Sequence, residues 1–197
     1  MKTLNYYTVD GALGWSQDWF RDWWMHVGGC AAVTACDLSI LLARDHGLRA
    51  LYPFDAGEIS RADYLAFAKI MKPYLKPRFS GIDKLSIYTE GLGRYAADRG
   101  VKLPLVALEG DAPWQEAARL LRRQIDTDLV VPFLLLHHQD KALDDWQWHW
   151  FNLAGYDTAT GRLQVRAITY GAEHWLDFQN LWETGKDRKG GLVIVDL

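Results

Sequence analysis

The chain has 197 residues, with 22 Lys and Arg against 25 Asp and Glu and a formal net charge of -3. A hydrophobic fraction of 49% beside 24% charged residues excludes a disordered, collagenous or low-complexity chain and fits a single globular domain over 1–197. The slightly acidic balance leaves no basic footprint for nucleic acid, and no apolar stretch is long enough to span a bilayer.

The N-terminus, Met1-Lys2-Thr3-Leu4-Asn5, has no apolar signal core. Trp15, Trp19 and Trp23 recur at spacing four, which predicts a short helix interrupted by Gly28-Gly29. The small-residue run from Cys30 to Cys36 continues through Leu38, Ile40, Leu41 and Leu42. It predicts a largely buried helix that begins at Cys30 and ends before Gly47. Ser60 followed by Asp63 marks the next helix start. A further helix is expected from Ile82 to Asp98, then a short strand from Leu103 to Leu108. Asp111 is expected to cap a helix across Trp114 to Ile125.

The pattern then changes to strands. Leu129 to His137 is a continuous apolar run, as a central strand requires. After a polar connection, Trp146 to Tyr156 reads as a second strand and Leu163 to Thr169 as a third, separated by a turn. Glu173 and His174 are placed on a surface loop, with the lining of a cleft as the alternative. A short helix from Phe178 to Glu183 and a closing strand from Leu192 to Asp196 complete the chain. Helices first and antiparallel strands last are an α+β signature.

Two residues stand out chemically. Cys30 opens a helix, where the positive end of the macrodipole favours a thiolate and the unpaired backbone N–H can serve an oxyanion. The plain alternative is a small buried hydrophobe. Cys36 lies about 600° further round the same helix, so the two cysteines read as separate thiols in a reducing, cytoplasmic setting. His149 falls mid-strand with Gln147 and Phe151 on one face, against Trp146, Trp148, Trp150 and Asn152 on the other. A rigid strand suits a general base, and a hydrogen-bonded core histidine is the alternative. His137 and His138 point to opposite faces, and no CxxC, HExxH or phosphate loop occurs, so neither metal nor cofactor is expected. The ten Trp read as an aromatic core or a lined groove.

Taken together, the segment Gly29-Cys30-Ala31-Ala32-Val33-Thr34-Ala35 resembles the nucleophile helix of papain-like cysteine peptidases. His149-Trp150-Phe151-Asn152-Leu153-Ala154-Gly155-Tyr156-Asp157 resembles their base strand, the nearest likeness being the bacterial double-glycine (bacteriocin-leader) peptidases. The resemblance implies a papain-like α+β fold, with the cysteine helix packed on an antiparallel sheet that carries the histidine. It implies Cys30 as nucleophile and His149 as base, acting on a peptide or protein substrate; the charge balance and hydropathy above point to no nucleic acid or membrane partner. Such families place Asp or Asn at the end of the return strand, where this chain has Thr169, whose hydroxyl can accept a bond. Their oxyanion Gln lies a few residues before the cysteine, whereas Gln17 stands thirteen residues upstream. Ala31 and Ala32 replace the usual Gly and Pro. These departures set a catalytically inactive, peptide-binding module beside the peptidase as the alternative expectation. Oligomeric state stays open.

Overall fold

The computed structural model describes residues 1–79 and 81–197 and shows helices packed on an antiparallel sheet, the α+β arrangement that the segregated pattern predicts. The N-terminal segment forms three two-residue strands, β1 (Lys2–Thr3), β2 (Thr8–Val9) and β3 (Ala12–Leu13). The helix expected from the tryptophan spacing is broken in two. A 3-10 turn covers Gln17–Trp19, and α1 covers Trp23–Gly28. Separate caps cause the break: Ser16 accepts from the Asp18 N–H, and Asp22 accepts from the N–H groups of Trp24 and Met25.

Helix α2 (Cys30–Asp45) begins at the predicted residue and is buried from Cys30 through Ala43. An apolar surface on every side demands that burial. Helix α3 (Arg61–Met71) starts under its predicted cap, with Ser60 Oγ accepting from the Asp63 N–H. Helix α4 (Leu85–Asp98) begins three residues later than expected. Strand β4 (Leu105–Glu109) follows, then α5 (Trp114–Asp126). Asp111 does not cap α5: Pro113 holds that position, and Asp111 meets Lys189 at 3.1 Å instead. The fixed φ of proline sets the entry to the helix without a side-chain acceptor.

Strand β5 (Val131–Leu135) is fully buried and leads through a 3-10 turn at Lys141–Trp146 to β6 (His149–Asp157). The strand starts at His149 and not at Trp146, because Trp148 has φ of 57° and turns the chain. Trp148 is therefore exposed and off the strand, whereas Trp150 is buried, stacked on Tyr88 at 4.4 Å with its indole N–H donating to Ile82 O. Next come β7 (Gln164–Thr169) and β8 (Ala172–Asp177). The expected loop at Glu173 and His174 is thus a strand. Tyr170 and Gly171, with φ of 49° and 76°, form the two-residue turn whose twist suits a hairpin. Glu173 crosses to Arg166 at 2.5 Å. Helix α6 (Phe178–Trp182) precedes β9 (Gly190–Val195). Gly190 enters β9 at φ of 96°, where a Cβ would lie 2.1 Å from Leu134 O, so only glycine passes there.

The sheet order is β4-β9-β5-β6-β7-β8, with β1 also paired to β6. All these pairings are antiparallel. Helix α2 lies along β6, tied to it where Asn152 Nδ2 donates to Thr34 O at 3.3 Å. This is the expected packing of the cysteine helix on the histidine strand. Among the described residues, no helix is long and apolar enough to cross a membrane.

Candidate active site

The elbow before Cys30 depends on two glycines. A Cβ at Gly28 would lie 2.5 Å from Arg78 O, and one at Gly29 would lie 2.3 Å from Met25 O. Their absence lets α1 end on the chain near Arg78 and α2 begin at once, which leaves Cys30 in the first turn. Cys30, His149, Thr169 and Gln17, drawn from four separate segments, line one cavity of about 10 Å³, with Trp15 and Tyr170 beside them. That volume is roughly what a single water requires, so the site is closed.

His149 Nε2 is hydrogen-bonded to Thr169 Oγ1 at 2.7 Å, across from the strand end to the last residue of β7. Where Nε2–H donates to the hydroxyl, Nδ1 keeps its lone pair and is the basic nitrogen. Tyr170 stacks on the imidazole at 4.9 Å with 10° between the planes, while the residue as a whole is 45% exposed. The tyrosine therefore forms the outer wall of the site. Gln17 is buried: its Nε2 donates to His26 O at 2.6 Å, and its Oε1 has no partner among the described residues.

Burial dominates the electrostatics. It pushes the Cys30 thiol up, against the backbone N–H groups of Trp150, Ala31 and Cys30, which favour the thiolate. The sequence argument from the helix N-terminus predicts a lowered thiol; desolvation of a buried group outweighs it. Burial alone also lowers His149 to about 4. Thr169 supplies no negative charge to hold an imidazolium. The resting pair is consequently a neutral thiol and a neutral imidazole at physiological pH.

The site has a charged floor that the sequence reading did not single out. Asp37, seven residues beyond Cys30 on the same face of α2, lines the same cavity and is buried. Three tyrosine hydroxyls donate to it: Tyr6 at 2.7 Å, Tyr7 at 2.6 Å and Tyr64 at 2.7 Å. Burial raises its carboxyl to about 6 despite these bonds. Asn152 Nδ2 donates to the Tyr6 hydroxyl at 3.1 Å and joins β6 to the cluster. Asp37 is the one charged residue between Cys30 and Ala43, and that is the available signal for it. No local pattern points to Tyr170, because its role depends on the β7–β8 hairpin, where the sequence predicts a loop.

His138, one of the histidines weighed for a metal, has structural partners. The His138 ring lies 2.8 Å from Asn180 O through Nε2 and accepts the Asp140 N–H at Nδ1. Cys36 is a free, buried thiol, as is Cys30. Compared with known proteins, the chain matches no family model, no curated protein and no solved structure.

Proposed function

We propose that the chain is a cysteine peptidase of papain-like architecture that cleaves a peptide or amide bond through Cys30 and His149. The observation that carries this reading is the gathering of Gln17, Cys30, His149 and Thr169 around one cavity, with the cysteine at a helix start and the histidine on the facing strand. In the reaction, His149 removes the thiol proton as Cys30 Sγ bonds to the acyl carbon. The C–N bond breaks, the proton passes from His149 to the leaving amine, and water then hydrolyses the thioester. The N–H groups around Cys30 face the developing negative charge. Thr169 acts by orienting the imidazole. Because the resting pair is neutral, proton transfer accompanies attack and no ion pair is stored beforehand.

A second reading is favoured by the closed cavity and the neutral pair: a papain-like module that binds peptides without cutting them. One experiment separates the two. Cys30 alkylation by iodoacetamide is followed between pH 5 and 9 in the Cys36→Ser protein, with and without His149→Ala. A base-assisted thiol loses about tenfold in rate at neutral pH when the imidazole is removed. Equal rates in the two proteins overturn the peptidase reading. Digestion of a peptide pool, read by mass spectrometry, is then expected to proceed with Cys36→Ser and to stop with Cys30→Ser.

A further inference from the structure

A second cavity, of about 470 Å³, lies between α3 and the segment from Trp19 to Met25. Its floor is apolar: Trp19, Phe20, Met25, Leu65 and Ala68. Four cations, Arg21, Arg61, Lys69 and Lys72, stand around that floor against the single carboxylate of Asp22. The arrangement follows from α3, where Arg61, Leu65, Ala68 and Lys69 recur at helical spacing and share one face, continued by Lys72 at the C-cap. Two of the cations are already engaged. Lys72 pairs with Asp22, while Arg61 approaches Asp10 at 3.5 Å and lies over the Trp19 ring at 5.3 Å. Among the described residues, Arg21 and Lys69 have no ion-pair partner.

Such a cavity has the size of a small-molecule site, with an apolar lining and few convergent polar groups. A small polar anion would leave the aromatic floor uncovered. A neutral chain would leave the excess positive charge unmatched. The cavity of about 490 Å³ beside α6 has a different character, since Arg162, Asp177 and Glu183 mix both signs around it.

We infer that this cavity binds a single-headed anionic amphiphile, a hydrocarbon chain ending in one carboxylate. The chain lies on Trp19, Phe20, Met25, Leu65 and Ala68, and the carboxylate meets Arg21 and Lys69. The site stands apart from the Cys30 chemistry and does not depend on it. It does adjoin the wall of that site: Gly171, next to Tyr170, has the Trp19 ring within 3.7 Å of where a Cβ would be.

The test is isothermal titration of the intact protein with dodecanoate, below the concentration at which it forms micelles, and with dodecan-1-ol. A double variant, Arg21→Glu with Lys69→Glu, reverses two exposed charges, and Arg162→Glu serves as the control at the other cavity. Saturable one-to-one binding of dodecanoate is expected. Dodecan-1-ol and the double variant should each be weaker by roughly tenfold or more, as loss and reversal of two partly screened ion contacts requires. The Arg162→Glu protein should bind as the wild type does. No saturable binding, or equal binding of acid and alcohol, overturns the inference. Unchanged affinity in the double variant places the ligand elsewhere and overturns it equally. Saturable binding of an acidic amphipathic peptide with none of dodecanoate rejects the ligand class.

Discussion

Replacing Asp37 by Asn isolates the buried charge beneath the candidate active site. Burial raises the carboxyl of Asp37 from 3.8 to about 6 in the folded chain. The folded state therefore holds this proton more tightly than the unfolded state. Stability is greatest while Asp37 is protonated, falls as pH rises from roughly 4 to 6, and is level above that. At 1.36 kcal/mol per pH unit, the ionisation of Asp37 costs about 3 kcal/mol of stability by neutral pH. His149 has the opposite slope. Its folded value of about 4 lies below the ordinary 6.5, so stability is complete above about pH 6.5 and falls as pH drops towards 4. The wild-type profile is thus a near-cancelling sum, and only the difference between two proteins resolves Asp37. Asn retains one oxygen for Tyr7 and Tyr64, but its amide leaves the Tyr6 hydroxyl hydrogen without an acceptor, at a cost of about 1–3 kcal/mol that does not vary with pH. Urea unfolding of wild type and Asp37→Asn at pH 4, 5, 6 and 7 measures the difference, given equal m-values. The variant should gain about 2 kcal/mol relative to wild type between pH 4 and pH 7, because the unfolded carboxyl is already more than half ionised at pH 4. A difference independent of pH would mean that the three tyrosines fully offset burial, and it would refute the reasoning.

Two further predictions concern the walls of the cavity. Tyr170→Ala removes the ring stacked on His149, so Cys30 alkylation in the Cys36→Ser background should accelerate by about tenfold, with a larger gain for a bulky maleimide than for iodoacetamide. Unchanged rates would show that access runs past Trp15 instead. Thr169→Asp places a carboxylate on the Nε2 side of the imidazole, so the His149 titration followed by NMR should move upward from about 4. A titration that stays put would mean that the new carboxyl is itself neutral in that burial.

Legibility in the sequence followed the range of the interaction involved. The start of α2 at Cys30 was readable because Gly28-Gly29 and the small residues beyond it act over one turn. The Ser60 cap and the apolar run of β5 were readable for the same local reason. Boundaries failed where one backbone angle intervened. Trp148 at positive φ delays β6 to His149, and the turn at Tyr170-Gly171 converts an expected loop into β8. The tryptophan spacing near the N-terminus misled because two separate caps, Ser16 and Asp22, divide the segment between them.

The sequence by itself determined the α+β order, the cysteine at a helix start and the histidine on an antiparallel strand, since these follow from periodicity and from residues within a few positions. Only the tertiary structure decided that Tyr6, Tyr7 and Tyr64 converge on Asp37, that Tyr170 covers His149, and that cations collect around an apolar floor beside α3. It also decided the protonation of the site. A helix N-terminus is a local, sequence-readable influence on Cys30, but desolvation is summed over every neighbour that excludes water, and those neighbours come from distant parts of the chain.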